Sequence, residues 1–248
     1  MNDALIQITP PVGQHEPMLP NAVRARLNKL YEEVPGVSCS SCDQPGSCCE
    51  LTQVEWDAEY ATMYPLYTVE YLNIVDYVRT HFDSERQREL LSGGNERPRR
   101  CPFLTESMGC SIHPARPLTC RTYGVLNKAE QVDAAAKAHQ GDLPRFWVSA
   151  FLSTERYTVC AQTKLQEPEK LQAHLDAMMS FEYERRMIDM GQMVDALDKE
   201  RQGIFEKTTQ KEVPIRWTLG GFNVLFFSSI SWLKTNFSAY WKKSFLGE

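Results

Sequence analysis

Residues 99–124 read RRCPFLTESMGCSIHPARPLTCRTYG. Short apolar pieces around Phe103 and Ile112 are cut by proline, glycine and cysteine, so neither a 3.6-residue nor a two-residue hydrophobic period can run for long. The stretch predicts loops with at most two short strands, near Phe103 and Ile112. A segment with so little apolar mass cannot support itself and needs a staple. Three thiols lie within it: Cys101, Cys110 and Cys120. What those thiols do decides how this part of the chain folds.

More thiols lie on either side. Upstream, SCSSCDQPGSCCE (residues 38–50) holds Cys39 and Cys42 in a C-x2-C pair and Cys48 next to Cys49; downstream, YTVCAQ holds Cys160. The 248 residues contain eight cysteines in all. The first twenty residues lack a charged segment followed by an apolar one, so they do not read as a secretory leader. The expected location is therefore the cytoplasm, where thiols stay reduced and cysteine clusters serve metals or catalysis more than bridges.

Two thiolates at C-x2-C spacing can converge on one ion at about 2.3 Å. Adjacent cysteines ordinarily point apart, so Cys48 and Cys49 read as members of two neighbouring sites, or of one site and the core. Four thiolates complete a zinc site or a fully cysteine-ligated iron–sulfur cluster, and thiolates disfavour magnesium and calcium. Either group carries net negative charge, which nearby cations stabilise. Arg97, Arg99, Arg100, Arg116 and Arg121 all stand within a few residues of a cysteine. Pro117 can open a helical turn that presents Cys120 near its N-terminus.

The remainder reads as helix. Residues 1–20 carry four prolines and form an expected flexible arm. Val23, Leu27, Leu30 and Val34 recur at helical spacing after Asn21, a candidate cap. Thr52–Glu55 has the form of a capping box and opens a helix toward Tyr64. Further helices are expected over Val69–His81, Asp83–Leu91 and residues 127–141. The segment 166–210 reads as one long helix, or two in line, loosened near Gly191. Its methionines (Met178, Met179, Met187, Met190, Met193) suit an adaptable core or a partner groove better than copper. His113 reads as a surface or hydrogen-bonded histidine before a ligand.

Composition shifts in residues 211–248. Residues 217–233 carry no charge, and the stripe Phe222, Phe226, Ile230, Leu233, Phe237, Trp241 continues past Lys234. This favours an amphipathic helix over a membrane span. Five basic residues against two acidic ones, with three tryptophans, suit a membrane surface, a protein partner or the chain's own core. A net charge of −5 and the lack of a basic run argue against nucleic acid. No G-x-G-x-x-G or P-loop occurs, the C-x3-C-x2-C signature of radical enzymes is missing, and no S-adenosylmethionine site is readable.

The pattern C-x2-C … CC, then CPFL … GCSIHPARPLTCRTY, then a late lone cysteine resembles the YkgJ-type cysteine-cluster proteins, over about residues 36–163. Its most specific part is C-x-I-x-x-x-R-P-x-x-C-R: Cys110, Ile112, Arg116, Pro117, Cys120 and Arg121. The flagellin lysine N-methylases carry a similar module. The resemblance implies a metal-binding core, zinc- or iron-chelating or iron–sulfur. Two departures stand out. The gap between Cys42 and Cys48 is longer than in the family, and His113 stands where the family has tyrosine.

The expected fold is mainly α, with an irregular, metal-stapled cysteine-rich centre and at most two short strands. It divides into the arm (1–20), a cysteine-cluster metal-binding domain (21–165), the long helix (166–210) and the aromatic segment (211–248). The ligand pool is Cys39, Cys42, Cys48, Cys49, Cys101, Cys110, Cys120 and Cys160, with Arg116 and Arg121 as donors behind it. The favoured function is a cytoplasmic iron–sulfur protein in electron transfer or redox-linked modification of a protein or peptide. One alternative is a structural zinc protein docking a partner or membrane through residues 214–248. Another is a methylase-like enzyme with an open metal position, which leaves enzymatic activity undecided.

Overall fold

The apolar spacing after Pro20 becomes the buried face of α1 (Asn21–Glu33), where Val23, Leu27 and Leu30 are fully enclosed and Tyr31 nearly so. Each such side chain contributes roughly 1.5–3 kcal/mol by leaving water. Asn21 is the first helical residue and not the cap; Pro20 precedes it without a side-chain cap bond. The backbone just upstream is served from another helix: Asp76 accepts from Met18 N at 2.8 Å and Leu19 N at 2.9 Å, and pairs with Arg24 at 2.5 Å. The last residues of the expected arm are therefore anchored.

The computed structural model describes residues 17–50, 53, 66–91, 99–138, 160–197 and 225–226. Among these, α1 is followed by α2 (Thr68–His81), α3 (Ser84–Leu91), α4 (Leu118–Thr122), α5 (Ala129–Ala138), α6 (Leu171–Met179) and α7 (Glu182–Leu197). The expected helix after Thr52 lies outside the described residues apart from Gln53. Asp83 caps α3, its Oδ1 accepting from Glu85 N at 3.0 Å and Arg86 N at 2.8 Å.

Helices α1, α2 and α7 pack on one another and form the core, with α6 folded against α7. Met178, Met179, Met187 and Met190 are buried in it, so the methionine stripe is core packing. The helical segment expected as 166–210 breaks at Ser180–Phe181 and not near Gly191. Phe181 takes a left-handed φ of 58°. His174 Nδ1 and the Tyr183 hydroxyl, 2.9 Å apart, tie the two sides of the corner. Gly191 sits inside α7 with open space where a Cβ would stand. Residues 198–210 lie outside the described residues.

The mainly helical class with an irregular cysteine-rich centre is what the structure shows. Extended backbone is placed differently from the expectation. Strand β1 (Val37–Ser38) pairs antiparallel with β3 (Lys164–Leu165), and β2 (Leu66–Tyr67) pairs parallel with β4 (Leu225–Phe226). Near Phe103 and Ile112 only a single bridge forms, between Leu104 and Cys110. Strand β4 also corrects the tail, since Phe226 of the expected amphipathic helix is extended. The rest of residues 211–248 lies outside the described residues. Among the described residues no helix is long and apolar enough to cross a membrane.

Candidate metal centre

Loops and short helical turns carry the thiols, Cys48 and Cys49 in a 3-10 turn and Cys120 in α4, and backbone hydrogen bonds stitch these segments together. Cys42 N bonds Cys39 O at 3.0 Å, and Cys49 N bonds Gly46 O at 2.9 Å. Cys101 N then reaches Cys49 O at 2.8 Å, beside the bridge between Glu50 and Arg100. The loop from Leu104 to Cys110 is closed by Thr105, whose N bonds Gly109 O at 2.8 Å while its hydroxyl accepts from Gly109 N at 3.0 Å. Cys160 N bonds Leu126 O at 3.0 Å, just after the turn that follows Cys120. The late cysteine is thereby joined to the middle of the chain.

Two side chains close the circle between Cys39–Cys42 and Cys160. Gln162 Oε1 accepts from Asp43 N at 2.9 Å, and Gln162 Nε2 donates to Asp43 Oδ1 at 2.6 Å. Two glycines allow the closest approaches. Gly46 has φ +80°, and a Cβ there would meet Leu104 Cδ1 and Met108 Cε at 2.9 Å. Gly124 has φ +76°, and its Cβ would meet Thr163 Cγ2 at 2.6 Å and Cys160 Cβ at 3.3 Å. Both positions combine left-handed backbone with no room for a side chain.

All eight cysteines are free thiols. They form one electrostatic network. Desolvation, then the charges of Cys48, Cys160 and Cys42, raises Cys39. Burial, then Cys101, Cys110 and Cys48, raises Cys120. Burial also raises Cys110, opposed by the Ile112 N–H, Arg116 and, in the raising sense, joined by Cys48. The adjacent pair does not point apart as expected: Cys49 donates to Cys48, which lowers Cys48 to about 7 and raises Cys49. Cys101 and Cys120 add to the rise at Cys49.

As the side chains stand, no group of three or more His, Cys, Asp or Glu residues among the described residues closes a metal shell. The donor set nevertheless suits a soft cation. Crowded thiols resist ionising together, and a cation reverses that penalty by favouring thiolate at each of them.

The two arginines differ in placement. Arg116 faces the thiols and favours the thiolate at Cys39, Cys48, Cys110 and Cys120. Arg121 lies one step further back: its Nε donates to Arg116 O at 2.7 Å and its Nη2 to Pro114 O at 2.7 Å, while its guanidinium sits 3.9 Å from the Tyr31 ring centroid. It braces the loop that carries Arg116. Arg99 reaches Glu50 at 3.8 Å, and Arg100 reaches Thr105 O at 3.3 Å; Arg97 lies outside the described residues. His113 is exposed, and desolvation, Arg116 and Arg121 keep its imidazole below the usual histidine range.

One residue escaped the sequence reading. Glu70 of α2 is fully buried, and its carboxylate accepts from the Tyr31 hydroxyl at 2.8 Å, Leu118 N at 2.5 Å and Tyr67 N at 3.2 Å. It thus holds the start of α4, the turn bearing Cys120. The available signal was an acid inside the apolar run TVEYLNIV (68–75), where a surface helix would not place one.

No curated protein and no solved structure matches the chain. Residues 38–139 match the family model CxxCxxCC, described as "Putative zinc- or iron-chelating domain". That range takes in seven of the eight thiols and Arg116, and leaves Cys160 outside it. The stretch 38–139, about two fifths of the chain, is thus similar to the CxxCxxCC family, whose described chemistry is zinc or iron chelation.

Proposed function

We propose that the thiol centre holds an iron–sulfur cluster and that the chain works in electron transfer or in redox-linked modification of a protein or peptide. The observation that carries this reading is the joining of all eight free thiols into one network, with Arg116 turned toward four of them. Cys48 influences Cys39, Cys49, Cys110 and Cys120, and this shared coupling supports a single multinuclear group over separate structural zinc ions. An iron–sulfur group bound there supplies one-electron exchange at a potential set by charge and by hydrogen bonds to sulfur.

The chain's own residues set those two quantities. Arg116 offsets thiolate charge, Arg121 fixes the backbone of Arg116, and the Ile112 N–H donates to Cys110 sulfur. Cys39 and Cys48 are exposed, which leaves the centre open on one side to a partner. A reducing cytoplasm suits these free thiols. Residues 214–248 are the proposed contact for a protein partner or a membrane surface.

Structural zinc is the second reading, favoured by the small apolar content of the cysteine loops. A methylase-like activity has less support, since no S-adenosylmethionine site is readable in the sequence. Reduction decides between the first two. Anaerobically purified protein with visible absorption that bleaches on adding dithionite supports the cluster, and Arg116→Ala is then expected to lower the potential. A colourless protein that holds zinc and is unchanged by dithionite overturns it.

A further inference from the structure

Glu70 is a carboxyl group in the middle of the molecule that neither core packing nor thiol chemistry requires. Three donors from three elements converge on it: the Tyr31 hydroxyl of α1, Tyr67 N at the start of α2, and Leu118 N at the start of α4. The same α4 turn carries Cys120 and Arg121, and Arg121 returns to Tyr31 through its ring face. Glu70, Tyr31, Arg121 and the Arg116 backbone therefore form one continuous connection from the helical core to the thiols.

The charge balance at this carboxyl is close. Burial opposes ionisation, while Leu118 N, the Tyr31 hydroxyl, Tyr67 N and Arg121 favour it, and the result is a carboxyl raised to about 7. If the α4 turn lifts, water reaches the group and it returns toward the ordinary carboxylic range, so lifting releases a proton. Other charged groups surround the connection. Tyr31, Tyr67 and Arg121 face Glu70, and Glu184 of α7 faces Tyr67. Glu184 is a second, partly buried acid, raised to about 8 by desolvation.

We propose that Glu70 is a positioning residue for the thiol centre, a latch that holds the Cys120–Arg121 turn onto the helical core and gives up its proton when that turn lifts. The hold on Cys120 then weakens as pH rises. This is opposite to the acid-driven loss expected of metal–thiolate bonds alone. The inference rests on the metal-binding reading only where it concerns bound metal.

The test uses the full chain, with amide exchange of residues 118–126 followed from pH 5 to 8.5, corrected for intrinsic rate and compared with residues 182–194. In metal-free wild type, opening of 118–126 is expected to rise toward tenfold per pH unit below about 7, the limit for one released proton, and to level off above it. Glu70→Gln is expected to flatten that slope, and Glu184→Gln to leave it in place. Tyr31→Phe removes a donor and is expected to move the levelling-off to higher pH, an independent check should Glu70→Gln fold poorly. A flat wild-type profile, a slope retained in Glu70→Gln, or a slope abolished by Glu184→Gln overturns the latch.

A second arm loads the chain with Zn(II) and follows transfer to a chromophoric chelator. The wild-type rate relative to Glu70→Gln is expected to grow about fivefold between pH 6 and 7, the factor for a carboxyl held at about 7 when the turn is down. Equal rates overturn the link to the centre. A wild-type chain that takes up no zinc overturns the metal claim, while the exchange slopes still decide the latch.

Discussion

The helical bundle and the cysteine centre are held by different physics. In the bundle, α1, α2 and α7 bury Leu27, Leu30, Ile74, Val78, Met187 and Met190 against one another, and removal of apolar surface from water is enough. The centre sends single apolar anchors into that same core, Phe103, Ile112 and Leu118 among them. Between the anchors its loops depend on backbone bonds such as Cys101 N to Cys49 O and Cys160 N to Leu126 O, and on two glycines that allow close approach. A bundle of this kind tolerates loss of any one polar contact. The centre has little apolar area to fall back on, so its order is expected to follow whatever its thiols bind.

The sharpest way to break the comparison is to remove the metal. Structural metal sites of small domains carry on the order of 10 kcal/mol of apparent binding energy. A chelator is therefore expected to collapse exchange protection across residues 99–126 and leave residues 182–194 protected. Cys120→Ser should do the same and lose bound metal. Equal loss of protection in both regions would erase the distinction between them.

The converse substitution strikes the bundle. Ile74→Ala empties a fully buried position and is expected to cost about 2–5 kcal/mol. Thermal unfolding checks it, and metal content of the folded protein should be unchanged.

Gly124→Ala comes next. Left-handed backbone at a non-glycine residue costs about 1–2 kcal/mol, and a Cβ at 2.6 Å from Thr163 Cγ2 forces the Cys160 loop away. Metal affinity is expected to fall by more than the change in melting temperature implies. An effect on melting alone would place Cys160 outside the centre.

A smaller effect is the pH dependence of stability. Glu70 is raised in the folded chain from 4.5 to about 7, so its contribution is full below the unfolded value and is lost as pH rises through about 7. Between pH 6 and 7 that loss is about 1 kcal/mol. Glu184, raised to about 8, continues the trend in the same direction. Glu70→Gln should flatten the first part of the decline in melting temperature. The least effect is expected at the Arg186–Glu33 pair between α7 and α1, half-exposed on both sides, where Arg186→Ala should cost about 0.5 kcal/mol.

How much of this was legible in sequence differs between the two regions for the same physical reason. Helical periodicity reports burial on one face, so α1, α2 and α3 were readable nearly to their ends. The break at Phe181 was not, because a left-handed aromatic carries no composition signal and Gly191 offered a false one. In the centre, cysteine spacing and the arginines around Cys110 and Cys120 gave the donor set. Spacing says nothing of through-space partners, however. It left hidden the hydrogen bond between Cys48 and Cys49, the closure of Asp43 on Gln162, and the role of Gly124 in bringing Cys160 home. Glu70 was masked by the apolar residues around it. The strands near Phe103 and Ile112 failed because each short run had only one bridge to make.

The central claim is that eight thiols and one facing arginine gather a soft metal. The most direct test is iron, zinc and acid-labile sulfide analysis on a single anaerobic preparation of the full chain, beside the Cys110→Ser/Cys120→Ser variant. The account predicts iron and sulfide in near-equal amounts in the wild type and their loss in the variant. Wild-type protein with neither iron nor zinc, or a variant that retains the full complement, would contradict it.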